Sequence, residues 1–145
     1  MNKLAGKHIG ILCGGWSDER PVSLDSGKSA YNSLMSSNLN AFLFDFKNND
    51  INMLSEFIKS NNIDLVLNLI HGTGGEDGLV QSYLDRLSIK YIGSNSESSK
   101  LSFNKVYTKE VWLRNSLKTR NYLKLSNNIS SKKIEEIFDD KFILK

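Results

Sequence analysis

Asp64-Leu65-Val66-Leu67-Asn68-Leu69-Ile70 runs directly into His71-Gly72-Thr73-Gly74-Gly75-Glu76-Asp77-Gly78, an apolar run giving way to a loop with four glycines in residues 72–78. The run has the length and aliphatic character of a strand, and the glycines end it. Leu79, Val80, Tyr83, Leu84 and Leu87 follow at helical spacing, and Lys90-Tyr91-Ile92 reads as the next strand, turning at Gly93. Upstream, Ile51, Leu54, Phe57 and Ile58 fall at i, i+3, i+6 and i+7, the stripe of a short amphipathic helix ending near Asn61-Asn62. Ala41-Phe42-Leu43-Phe44-Asp45-Phe46 reads as another strand. Val22, Leu24, Ala30, Leu34 and Met35 fit one helix face, with Ser23 or Asp25 placed to cap its start. His8-Ile9-Gly10-Ile11-Leu12-Cys13, closed by Gly14-Gly15, is apolar on both faces, the mark of a strand buried on both sides. This β-α-β-α-β-α-β alternation over residues 7–93 predicts an α/β fold with a doubly wound parallel sheet. Ligands of such sheets sit outside the carboxyl ends of the strands, where both glycine-rich segments, 14–15 and 72–78, fall.

The remainder differs in character. Ser98 to Leu117 reads as helical around Leu101, Val106, Val111 and Leu113, with Trp112 adding bulk; Tyr122-Leu123-Lys124-Leu125 reads as a strand and 134–138 as a helical turn or two. Phe142-Ile143-Leu144-Lys145 begins a strand whose sheet neighbours do not follow. The division expected is an α/β domain over 1–95, then, over 96–145, a helical connector and the opening elements of a second domain.

Composition bounds the function. The chain has 145 residues, 39% of them hydrophobic, enough for one domain with a real core, and whole-chain disorder is excluded. No stretch approaches the ~20 apolar residues of a spanning helix, and residues 1–7 lack the apolar core of a signal peptide, so no export or membrane association is expected. The single cysteine, Cys13, makes no intramolecular disulfide and suits a reducing compartment, which points to the cytoplasm. Its sequence neighbours offer nothing to lower its pKa, so it reads as a small core residue. The net charge of +3 comes from lysines scattered among acids, so no nucleic-acid partner is expected.

Two loops carry the candidate chemistry. In Gly14-Gly15-Trp16-Ser17-Asp18-Glu19-Arg20 the glycines let the backbone turn sharply, and Glu19 and Arg20 stand where the next helix begins. The third glycine of a dinucleotide fingerprint is missing; the plain alternative is a βα turn with a surface Glu19–Arg20 pair. In the second loop His71, at a strand's carboxyl end, can donate to an anionic group or polarise a carbonyl, or be a satisfied loop histidine. Glu76 and Asp77 suit the dipole of the following helix. Among the lysines, Lys105 and Lys145 stand out, the latter because it closes an apolar run. Ser94, Ser96, Ser98 and Ser99 admit a phosphate loop or an ordinary serine-rich turn.

At these residues the chain resembles the D-alanine–D-alanine ligases, ATP-grasp enzymes of peptidoglycan synthesis. G-G-W-S-D-E-R-P-V-S-L-D-S-G-K at 14–28 is similar to the family's G-G-x-S-x-E-R-x-V-S-L-x-S-G, and N-L-I-H-G-T-G-G-E-D-G at 68–78 to its H-G-x-x-G-E-D-G. Y-I-G-S at 91–94, N-K-V-Y-T-K at 104–109 and the terminal F-I-L-K follow in the family's order, so five ordered blocks run from about residue 8 to 145. The resemblance implies a Rossmann-like, pre-ATP-grasp domain followed by the start of an ATP-grasp small domain. It implies that Glu19 holds the ammonium of a first D-alanine, that Val22 lies beside that pocket, and that His71 stands near the carboxylate which ATP converts to an acyl phosphate. Glu19 and His71 would be the catalytic pair, Lys105 and Lys145 would contact ATP phosphates, and Glu76 would support.

Asn104 stands where the family usually has aspartate, and Pro21 where an ordinary residue is common. The family's serine-rich lid, the Ser and Tyr partners of its glutamate, its oxyanion arginine and its acidic Mg2+ ligands fall beyond Lys145. The expected partners are D-alanine, ATP and, through Leu79, Tyr83 and Leu87, a second copy in a homodimer. The expected chain carries substrate-side elements and no complete catalysis. Its competitors are a non-catalytic fragment or interaction module, and a different nucleotide-dependent α/β enzyme that uses only the 14–20 loop.

Overall fold

The computed structural model describes residues 4–124, 134 and 136–138. The strands β1 (His8–Gly14), β2 (Asn40–Phe46), β3 (Leu65–Asn68) and β4 (Lys90–Ile92) form one parallel sheet in the order β2-β1-β3-β4. Helices α1 (Arg20–Ser36), α2 (Ile51–Ser60) and α3 (Leu79–Arg86) make the crossovers. The first crossover leads from β1 outward to β2; the next returns past β1 to β3. Strand order therefore reverses between β1 and β3, and their diverging loops leave a crevice at the carboxyl edge.

Alternation along β1 distributes the core. Leu12 points into the main buried cluster with Phe46, Leu54, Ile58, Val66, Ile70, Val80 and Leu84, so α2 and α3 cover that face. Its neighbour Cys13 points the other way, against Gly27 of α1, where an added Cβ would overlap the cysteine side chain. Glycine at 27 is what lets α1 lie this close to the sheet. Burial pushes the Cys13 thiol up from its ordinary pKa, with Asp45 adding to the effect and Arg20 opposing it. The residue is buried core, as its sequence surroundings suggest.

Ser23 is wholly buried on α1 and does not cap the helix, nor does Asp25. The helix starts earlier, at Arg20, with Pro21 in its first turn where a missing N–H leaves no bond unmade. That frees the Ser23 hydroxyl to accept from the Gly14 amide at 2.8 Å and donate to the Leu69 carbonyl at 2.6 Å. One side chain thus ties the carboxyl ends of β1 and β3 to α1.

The expected helix over 98–117 is two helices, α4 (Ser96–Phe103) and α5 (Lys105–Arg114). Asn104 divides them, its side-chain oxygen accepting from the amides of Val106 and Tyr107 and so starting α5 afresh. Residues 122–124 form no strand; Leu125 and the run 142–145, Lys145 included, lie outside the described residues. The chain divides into two compact units, Met1–Phe103 and Asn104–Lys145, which assigns α4 to the first. Tyr83 on α3 and Leu87 just after it are partly buried against the core, so only part of each remains as spare apolar surface. No helix among the described residues is long and apolar enough to cross a membrane.

Replacing Ser23 by alanine strands a buried amide and a part-buried carbonyl together. Urea denaturation of Ser23→Ala should show a loss of about 1–3 kcal/mol, and a change within about 0.5 kcal/mol would contradict the role given to this hydroxyl.

Candidate functional site

The loop after β1 is set by its own polar groups. The Ser17 hydroxyl accepts from the Glu19 amide at 3.3 Å and donates to the His71 carbonyl at 2.8 Å, so one oxygen joins the two loops. Arg20 turns away from Glu19: its guanidinium forks onto Asp45 at 2.8 and 2.7 Å and also reaches the Gly15 carbonyl at 3.0 Å. The surface Glu19–Arg20 pair is therefore not what forms. Glu19 occupies the N-cap of α1 yet makes no capping bond, which leaves its exposed carboxylate uncommitted to the helix.

The loop after β3 is compact. The amides of Gly75 and Glu76 both donate to the Gly72 carbonyl, and the side-chain amides of Asn68 and Gln81 converge on the Gly75 carbonyl at 2.9 and 2.8 Å. Gly75 packs so tightly that a Cβ would overlap the carbonyl of Ile70. Asp77 bonds the amides of Gly74 and Leu79, the second of which belongs to the first turn of α3. Glu76 does not join it there; its carboxylate lies 3.7 Å from His71 Nδ1. Of the two acids read as helix-dipole partners, only Asp77 does that work.

His71 is held from three directions. Its carbonyl takes the Ser17 hydroxyl, its Nδ1 faces Glu76, and its Nε2 lies 3.3 Å from the hydroxyl of Ser26. Ser26 stands one helical turn after Val22, whose exposed side chain opens α1. One ligand atom from each of Glu19, His71 and Glu76 lies within 4.8 Å of the others. Beside them a cavity of about 290 Å³ is lined by Asn68, His71, Glu76, Gln81, Ser94 and Ser99. The serines beyond β4 serve local turns: Ser99 Oγ meets the Ser94 carbonyl, and the Ser98 amide donates to the side chain of Asn95.

Glu19, His71 and Glu76 are thus brought together, with Val22 on the adjoining helix turn. Lys105 is an exposed residue in the first turn of α5, in the second compact unit. Sequence reasoning missed Ser17, Ser26, Asp45, Asn68 and Gln81. The spacing of Ser26 from Val22, i to i+4, was the one available signal; Ser17 and Asp45 are paired across the fold, and Asn68 and Gln81 meet at the Gly75 carbonyl only once the loop has turned.

An α/β unit with two such loops at the switch point of its sheet is a domain of the doubly wound class, with its crevice where folds of that class take their ligands. Comparison narrows the class. The family model described as the D-ala D-ala ligase N-terminus matches residues 46–94. The D-alanine–D-alanine ligase of Carboxydothermus hydrogenoformans is 36% identical over 118 residues, covering 81% of this chain and 36% of that protein. The one from Bordetella avium is 34% identical over 145 residues, covering 100% of this chain and 44% of that protein. Among solved structures, the Bacillus anthracis ligase complexed with ATP aligns with a TM-score of 0.76 at 29% identity, covering 90% of this chain and 42% of that one. The chain is homologous to the N-terminal portion of the D-alanine–D-alanine ligases. It spans less than half the length of these relatives.

The close approach at Gly75 gives a test of how the loop is held. Gly75→Ala should shift the loop, lower stability by about 1–3 kcal/mol and move the amide resonances of residues 70–78. An unchanged amide spectrum would show that the loop is not set by this contact.

Proposed function

We propose that this chain supplies the first-substrate half of an ATP-dependent ligase that joins two D-alanines into D-alanyl-D-alanine for peptidoglycan. The observation that carries the reading is the meeting of Glu19 and His71, from separate loops, at the carboxyl edge between β1 and β3. A D-amino acid brings an ammonium and a carboxylate on one carbon. Glu19, exposed and free of capping duty, is the acceptor for the ammonium, and Val22 borders that pocket. His71, anchored through its carbonyl, is the donor toward the carboxylate through its Nε2–H, which rests on the Ser26 hydroxyl until the substrate takes it.

In the reaction the carboxylate oxygen attacks the γ-phosphorus of ATP, giving an acyl phosphate and ADP. The amine of the second D-alanine then attacks the acyl carbon, and phosphate leaves as the peptide bond forms. A donor that strengthens as charge develops on the activated carboxyl lowers the barrier without tightening ground-state binding. Lys105 and Lys145 are the proposed contacts to the ATP phosphates, where a cation offsets repulsion during transfer. Glu76 supports His71. Magnesium would supply charge neutralisation at the phosphates, but the Glu19–His71–Glu76 group includes an imidazole, which does not suit that hard ion, so no residue here is assigned to it. Work in the cytoplasm and pairing of two copies through the N-terminal unit belong to the same proposal, on the strength of the family resemblance.

In a protein continued to the length of the relatives, Glu19→Gln should raise the D-alanine requirement about 10–100-fold and leave the KM for ATP within about twofold, because a charge-assisted contact to ammonium is lost. His71→Ala should lower kcat more than it raises KM. A coupled ADP-release assay reads both. Equal losses on D-alanine and ATP would make Glu19 a structural residue, and a pure binding defect would remove His71 from the chemical step.

A further inference from the structure

We propose that Glu19, His71 and Glu76 also form a binding site for one divalent transition-metal ion of the zinc class. The argument starts from the proton on Ser26. Its hydroxyl donates to the Val22 carbonyl at 2.9 Å, so the oxygen meets His71 Nε2, 3.3 Å away, with a lone pair. In the tautomer that this contact favours, Nε2 carries the proton and Nδ1 the lone pair. That lone pair faces the Glu76 carboxylate at 3.7 Å, with the Glu19 carboxylate completing the group. Three electron-pair donors directed at one another call for a cation among them.

The nearest guanidinium does not supply it. Arg20 is committed to Asp45 by two bonds of 2.8 and 2.7 Å. Two carboxylates and a neutral imidazole carry a formal charge that a single divalent ion balances. An ion centred among atoms at the 4.8 Å limit would stand about 2.8 Å from each, against about 2.0–2.2 Å for zinc bonds to nitrogen and oxygen. Both glutamates are exposed and can rotate inward by that difference, whereas His71 is already fixed. The nitrogen ligand favours a zinc-like ion over magnesium or calcium, and three protein ligands leave an open fourth position. Ser26 supplies the outer hydrogen bond that orients a metal-bound histidine.

The ion would occupy the place at Glu19 that the proposed function gives to an ammonium, so, resting on that reading, metal and D-alanine exclude one another and the ion acts as an inhibitor. Titration of the 145-residue protein with Co2+, followed by its visible absorption, should show one saturable site that Zn2+ displaces, without a thiolate band because Cys13 is only 1% exposed. Affinity should fall at least tenfold in His71→Asn and in Glu76→Gln and several-fold in Ser26→Ala, while His8→Asn binds as the parent does. Circular dichroism melting checks that each variant is folded, and Glu19→Gln, at an exposed position, provides the same readout should His71→Asn fail to fold. D-alanine should displace the ion where L-alanine, an equal chelator in solution, does not. Absence of saturable uptake, or uptake indifferent to Glu19, His71 and Glu76, overturns the metal site. Uptake that D-alanine cannot displace keeps the metal site and counts against the substrate reading instead.

Discussion

The arrangement depends on one buried hydroxyl. Ser23 takes the amide of Gly14 and gives its proton to the carbonyl of Leu69, so the last residue of β1 and the chain just beyond β3 are pinned to the same turn of α1. The Leu69 amide also donates to the Leu12 carbonyl across the two strands, and Ser23 adds the tie that brings α1 to the same point. With it, Ser17 can bridge to the His71 carbonyl, and Glu19 arrives beside the imidazole. Glycine at 27 makes the link possible by letting α1 lie against Cys13.

Around this point the polar groups divide their labour. Arg20 and Asp45 neutralise each other and fix the loop after β1 from the β2 side. Asn68 and Gln81 hold the Gly75 carbonyl, and Asp77 holds the amides on either side of the turn into α3. Glu19 and Glu76 are left with carboxylates that serve neither helix cap nor salt bridge to a basic side chain other than His71 among the described contacts. A site with acidic groups free of structural duty is suited to a cationic ligand, whether the ammonium of an amino acid or a metal ion.

Much of the fold was legible because burial on both faces leaves unbroken apolar runs. His8–Cys13 is such a run, whereas Ala41–Phe46, on the edge strand with Leu43 exposed and Asp45 within it, was legible from its three phenylalanines; both strands form within a residue of those bounds. The α2 stripe was equally plain, since Leu54 and Ile58 face the core at helical spacing. Misreadings arose where one residue type has two uses. Serine at 23 suits a helix cap as well as a buried bridge, and only the sheet shows which. Asn104, inside a helical pattern, gave no sign that it would cap a new helix. In the site, Glu19 and His71 were visible as the polar residues of glycine-rich loops. The departure of Arg20 from Glu19 to Asp45 was not, because it spans 25 residues of sequence.

The two histidines lie at opposite edges of the sheet, His8 at the start of β1 and His71 beyond the end of β3, which allows a direct test of the central claim that Glu19 and His71 together receive the first D-alanine. His8 begins the strand, its Nδ1 against the Asn61 carbonyl at 2.8 Å, while His71 stands at the carboxyl edge. The measurement is the imidazole NMR spectrum of the 145-residue protein during titration with D-alanine. The account predicts a saturable shift of the His71 ring signals, stationary His8 signals, and loss of the response in Glu19→Gln. His71 signals that stay still at saturating D-alanine, or that shift equally without the Glu19 carboxylate, would contradict it.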